Sequence, residues 1–195
     1  LVYYPPSSQH VAQLRFYGFR ITPLKIGSMT DRLVLASASP ARLKVLTQAG
    51  VPPLAWPANI DEDAVRAGLK TTDPSQVVTA LAQAKARHIG QLLTNPERSR
   101  PNAFSLESKA REELENLPRG ERLAVIGCDS MLLLNGKLRG KPHNFERALQ
   151  QIHELSGASP TLFTGHCALA LKRSATGFTC DRSEERRVGK ECRSR

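Results

Sequence analysis

Tyrosine is absent beyond the first 17 residues, and aromatic side chains as a class make up only 5% of the chain. A surface that stacks bases of single-stranded nucleic acid needs rings at intervals, and this sequence does not supply them. Cysteine is equally thin: Cys128, Cys167, Cys180 and Cys192 are scattered, with no C-x-x-C pair. That pattern speaks against a zinc site and gives no disulfide framework, and a reducing cytoplasm is the simplest compartment. Apolar runs are strand-sized, such as Met131–Leu134 and Cys167–Leu171, so no membrane span is expected. The first residues lack the apolar core of a secretory leader. There is no Walker phosphate loop, no G-x-G-x-x-G and no G-x-S-x-G.

Basic charge is plentiful, with a net +10 over 195 residues, but it is unevenly placed. Residues 1–28 carry +3 without a single acid, residues 181–195 carry +2, and the body keeps +5. A mildly basic body suits small polyanionic substrates as well as it suits nucleic acid. The flanks also differ in kind. Residues 1–28 precede Met29 and read as a non-native or disordered extension. Residues 173–195 read as a divergent basic tail, disordered or adventitious.

The body, 29–172, reads as α/β. Leu33–Ala36 is a strand, and Ser39-Pro40 caps and opens a helix bearing Leu43, Leu46 and Ala49 that Gly50 stops. Asp73-Pro74 opens a second helix, reaching about Leu93. Residues 94–120 read as an inserted polar loop with a short charged helix. Leu123–Gly127 and Met131–Leu134 are strands, and Asn135-Gly136 is a two-residue hairpin turn. Phe145, Ala148, Leu149, Ile152 and Leu155 mark an amphipathic helix, and Leu162–Leu171 returns to strand.

Several residues point to chemistry. Ser37 and Ser39 end a strand at a helix start, where free N–H groups and the helix dipole favour an anion, and Arg42 adds a phosphate-binding guanidinium. Taken alone, a capped helix with a surface arginine is the better explanation, because Ser-Pro caps are common. Lys85 interrupts the apolar stripe Val78, Leu81, Ala82, Ile89. It either snorkels to solvent or lines a cleft that holds an anion. Asp129 stands inside an apolar stretch and needs a partner, a metal or a shifted pKa. The hairpin ladder sets Ser130 opposite Lys141, which brings Lys141 beside Asp129 if the edge is bulged. The run Asp61-Glu62-Asp63 is a solvated cluster or part of a cation site. His166-Cys167 places two reactive side chains on opposite strand faces, which favours packing over catalysis.

In order along the chain, LASASPARLKVL, IDED, LAQAKA, VIGCDSMLLLNGKLRGKP and TGHCALAL resemble the Maf family of nucleotide pyrophosphatases, over residues 31–172. The resemblance implies a mixed twisted sheet flanked by helices, in two lobes, akin to the inosine triphosphate pyrophosphatases. It implies hydrolysis of nucleoside triphosphates to monophosphate and pyrophosphate, clearing non-standard or excess nucleotides, with magnesium or manganese. Carried over by position, Ser37, Ser39, Arg42 and Ser130 contact substrate, and Lys85 and Lys141 neutralise phosphate charge. Glu62 and Asp129 bind the metal, and Asp129 also accepts the proton of the attacking water. A homodimer in the cytoplasm is compatible with the family.

Some positions depart from the family pattern. Ala41 stands where relatives often have arginine, Ser130 where threonine is frequent, and the 94–120 loop is long. The family's D-K-A-G and I-Q-G segment has no counterpart, so the chain is expected to be C-terminally truncated and of impaired stability or activity. The competing readings are an inactive fragment and a basic, non-catalytic module for nucleic acid or a partner, supported by the charged flanks.

Overall fold

The computed structural model describes residues 15–16, 19–20, 32–95, 106–142 and 144–189. Within residues 1–28, β1 (Arg15–Phe16) and β2 (Phe19–Arg20) pair antiparallel as a two-stranded ribbon, and the rest of that stretch lies outside the described residues. The rest is an α/β fold built on one mixed sheet of six strands.

The first core strand, β3 (Arg32–Ala36), is buried from Leu33 onward. It runs into α1 (Pro40–Gln48), capped by Ser39 and opened by Pro40, whose fixed φ suits the first helical turn. The expected stripe on α1 is only half-buried: Leu43 and Leu46 touch the body and Ala49 is exposed. Next come β4 (Leu54–Ala55), α2 (Glu62–Ala67) and α3 (Pro74–Thr94). Asp61 and Asp73 cap these two helices by accepting from the Ala64 and Gln76 amides. α4 (Leu106–Glu115) follows.

The long strand β5 (Arg122–Leu134) takes in both stretches that the sequence separates. The polar Cys128-Asp129-Ser130 looks like a break in hydrophobicity, yet the ladder to β7 (Thr161–Arg173) is continuous through it, with Asp129 opposite Gly165. Backbone pairing holds the strand where side chains do not advertise it. Asn135 and Gly136 turn at φ 49° and 73°, both positive, as a two-residue hairpin matched to strand twist requires. β6 (Lys137–Arg139) returns along β5.

The strand order is β4-β3-β5-β7-β8, with β6 on the far stretch of β5. β3 is parallel to β4 and β5, whereas β7 is antiparallel to both its neighbours. β8 (Phe178–Gly189) occupies much of the stretch read from the sequence as a basic tail. Low apolar content hid it, because a strand on a sheet edge is held by its ladder. Phe178 at its start is buried.

α3 packs across β5 and β7 over the main core, which gathers Val34, Trp56, Ala86, Ile89, Leu123, Val125 and Leu171. α4 adds Leu114 to this core, so part of the stretch read as an inserted loop is structural. A second, smaller cluster joins Val77, Val78, Leu81 and Met131, with Phe163 and Leu138 against it.

Two glycines set how near the helix can come. A Cβ built on Gly127 collides with the Ala82 carbonyl oxygen, and one on Gly165 collides with that of Val78. The α3 backbone thus rests directly on the sheet, with no side chain between them.

The amphipathic helix α5 (Phe145–Leu155) forms as its spacing predicts, capped by Asn144. Its apolar face nevertheless stays open, with Phe145 75%, Leu149 45% and Ile152 63% exposed. Polar contacts tether it: Gln151 Nε2 donates to Gly140 O at 3.2 Å, and Arg139 pairs with Glu154 at 2.7 Å. Among the described residues no helix is long and apolar enough to cross a membrane.

Substituting Gly165→Ala or Gly127→Ala should cost about 1–3 kcal/mol of stability, because the added methyl must push the helix backbone away. Gly140→Ala, whose nearest neighbour is the flexible end of Met131 at 3.8 Å, should stay within about 0.5 kcal/mol of wild type. Urea unfolding of the three variants checks this, and equal losses at all three would contradict the close packing.

Candidate active-site cleft

The end of β3 and the start of α1 form one wall. Ser39 does its work locally: its Oγ accepts from the Arg42 amide at 3.5 Å. Ser37 is 9% exposed, and its Oγ accepts from the Ser39 amide at 3.3 Å and from Arg42 Nη1 at 3.0 Å. Arg42 therefore turns inward. Nη1 also donates to Cys128 O at 3.0 Å, and Nη2 donates to Ser130 Oγ at 2.8 Å. The guanidinium bolts α1 to β5 on both sides of Asp129, using three of its five N–H donors. Ser130 Oγ lies in turn 3.0 Å from Thr164 Oγ1 on β7.

The floor is an ion triad. Lys85 Nζ lies 2.6 Å from Asp129 Oδ1 and 2.8 Å from Glu62 Oε1. The lysine and aspartate side chains are 12% and 10% exposed, while Glu62 is half exposed. Lys85 neither snorkels nor stands alone on its apolar stripe, because two carboxylates balance it. Burial alone would drag the Lys85 pKa down, but its bonds to Asp129 and Glu62 outweigh this and raise it. Burial raises Asp129, against the opposing pull of Lys85, and the nearby Glu62 charge adds to the rise.

Sequence order explains how the three meet. The capping bond of Asp61 starts α2, which presents Glu62 from its first turn. Strand alternation turns Asp129 toward α3, on the face where Gly127 lets that helix in. Glu62, Lys85 and Asp129 open on a cleft of about 470 Å³ that Ser37, Arg42, Ser130 and Lys141 also line. Ser39 is not part of this lining, and its hydroxyl accepts from the Arg42 amide at the helix cap.

Lys141 reaches the cleft in a different way from the expected ladder. β6 stops at Arg139, and Lys141 lies in the chain beyond it. Among the described residues it makes no ion pair or hydrogen bond, with Asp129 or any other group.

Three charged lining residues fall outside the expected set of site residues: Asp61 and Asp63, read only as members of the acidic run, and Arg66. The last two form an ion pair one turn apart on α2. Their only sequence signal was the acidic run itself, because a helix of six residues is too short to show a period. Thr164 was also missed, and strand register alone brings it to Ser130. Among the described residues no group of three or more His, Cys, Asp or Glu side chains is set to hold a metal ion.

His166 and Cys167 do face opposite ways. Cys167 is in the core, while His166 is half-buried, and its pKa is lowered by burial and by the Arg42 charge. The unfolded chain takes up this proton near pH 6.5 and the folded chain only below that, so acidification through this interval favours unfolding. His166→Gln should therefore lose less melting temperature than wild type between about pH 7 and pH 5. Parallel losses in thermal melts would rule out this contribution.

The Maf-like protein family model matches residues 32–190. Similar curated proteins include the nucleoside triphosphate pyrophosphatase of Nocardia farcinica, 42% identical over 148 residues, which covers 75% of this chain and 59% of that protein. The protein of the same name from Mycobacterium leprae is 38% identical over 151 residues, covering 77% and 61%. That of Mycolicibacterium paratuberculosis is 44% identical over 142 residues, covering 72% and 57%. The chain spans about three-fifths of the length of these relatives. The matched region runs from β3 through β8 and includes every residue of the cleft, and the chain belongs to the Maf-like protein family.

Proposed function

We propose that the chain hydrolyses nucleoside triphosphates to a monophosphate and pyrophosphate. The observation that carries this reading is the cleft itself. A half-sunken lysine gathers two carboxylates, and a second lysine, Lys141, lines the same space with no partner among the described residues. The names of the relatives support the same chemistry.

A triphosphate brings several negative charges into a site where solvent is partly excluded. Among the described residues Lys141 has no partner to give up, so it can meet a phosphate oxygen without breaking a bond to any of them. Lys85 offers a second positive charge at the cleft floor, and Arg42 keeps two N–H donors beyond those bound among the described residues. These cations lower the energy of charge that builds on the phosphates during transfer. Asp129 is the proton acceptor for the attacking water. Its burial raises its affinity for a proton, which suits a general base. Arg42, bonded to Cys128 O and Ser130 Oγ, fixes the strand on both sides of that carboxylate.

The donor set fits a hard divalent cation. Glu62 and Asp129 turn oxygen atoms toward one point, the Lys85 ammonium. Magnesium is held by one or two carboxylates, with phosphate and water completing its shell. Magnesium or manganese, when bound, supplies positive charge against the phosphates. Glu62 and Asp129 would hold it. A cytoplasmic enzyme acting on the nucleotide pool accords with this chemistry.

Asp129→Asn keeps the shape of the site and removes the base. Pyrophosphate release from a panel of nucleoside triphosphates, with magnesium or manganese, should fall about 10²–10⁴-fold in that variant. It should also stop with excess chelator. Release that persists in the variant, or that ignores the chelator, would refute the respective role.

The two lysines should behave differently. Lys141 is exposed and has no partner among the described residues, so Lys141→Ala should leave the melting temperature alone and raise KM. Lys85→Ala strands two carboxylates, one of them buried, and should lower both melting temperature and kcat. Identical behaviour of the pair would contradict these assignments.

A further inference from the structure

Ser130 and Thr164 face each other in the register of β5 and β7, with their hydroxyl oxygens 3.0 Å apart. Arg42 Nη2 reaches the same Ser130 oxygen at 2.8 Å. A guanidinium can only donate, so Ser130 accepts there and retains one lone pair and its hydrogen.

Two arrangements can complete the second contact. In the first, Ser130 donates to Thr164, and the Thr164 hydrogen then has no acceptor among the described residues. In the second, Thr164 donates to Ser130. Both lone pairs of Ser130 are then filled, and its hydrogen is left for the cleft, which Ser130 lines and Thr164 does not. Both hydroxyls are half-buried, where an unpaired donor is costly. The second arrangement wins because its one spare hydrogen belongs to the residue that lines the open cleft, where water or a ligand can accept it.

We infer that Thr164 is a positioning residue that makes the Ser130 hydroxyl a dedicated donor, so that the cleft selects an acceptor oxygen on its ligand at that point. The oxygen is a base carbonyl or a phosphate oxygen, and an amino group there is disfavoured. Neither residue carries a charge, so the effect is on recognition, not on proton transfer. The inference rests on the nucleotide reading above.

The test uses Thr164→Val, which keeps the shape and removes the hydroxyl, and Thr164→Ser, which restores it. KM and kcat are measured for uridine and cytidine triphosphates, which differ by a carbonyl against an amino group on the ring. Thr164→Val should raise KM about 2–10-fold with kcat and melting temperature little changed, and Thr164→Ser should return it to within about twofold. A rise confined to the uridine nucleotide identifies the 4-carbonyl of the base, and an equal rise for both identifies an oxygen the two share, on the phosphates or at the 2-carbonyl. Unchanged KM for both, or a serine variant as poor as the valine one, overturns the inference. If wild type turns over no nucleotide, the nucleotide reading fails instead. The network is then read in the ligand-free protein from the side-chain nitrogen NMR signals of Arg42. Thr164→Val should shift the Nη signals, and signals that stay in place would overturn the role of Thr164.

Discussion

The close seat of α3 on the sheet is the constraint on which the site depends. Gly127 and Gly165 leave room for helix backbone where any side chain would collide. With the helix this near, Lys85 projects over β5 and its ammonium reaches Asp129 at 2.6 Å. Held even one methyl further off, the lysine would lose its short contact, and two charges would sit in a poorly hydrated place without compensation. Gly165 lies directly across from Asp129 in the ladder. The residue that admits the helix and the residue that needs it are therefore neighbours.

Opposed charges are kept near one another without cancelling the function of either. Lys85 spans Asp129 and Glu62, and Arg42 grips Ser37, Ser130 and the Cys128 carbonyl. These bonds hold the cleft walls in place before any ligand arrives, which is the condition for electrostatic stabilisation without reorganisation. Glu62 is half exposed and sits on the short helix α2, so the acidic side of the triad is the more adaptable one. The cleft joins a rigid floor of strand and helix to a wall closer to solvent.

Much of this was legible in the residues. Ser39-Pro40 marked a cap, Asn135-Gly136 marked a hairpin, and an aspartate inside an apolar stretch marked a buried charge that needed a partner. Each of these is a local signal, carried by residues within a few positions. What stayed hidden is long-range. Nothing near Lys85 in sequence says that Glu62 and Asp129 complete it, although the resemblance named both. Ser39, expected at the ligand, lies outside the cleft lining, where its hydroxyl caps the helix by accepting from the Arg42 amide. β5 looked like two strands because a polar triplet interrupts its hydrophobicity, while the ladder continues on backbone bonds alone. β8 and the buried face of α4 were missed for the same reason, since tertiary pairing and packing overrode a polar composition. Thr164 is the clearest instance, as only the register of β5 and β7 gives it a role.

The central claim is that helix seating and the ion triad are one device. A double-mutant cycle between Gly127→Ala and Lys85→Met, read by unfolding free energy, tests it most directly. If the glycine contact is what delivers the lysine to its carboxylates, the alanine should cost less once the lysine is gone, with a coupling of about 0.5–3 kcal/mol. Strict additivity of the two substitutions would contradict the account.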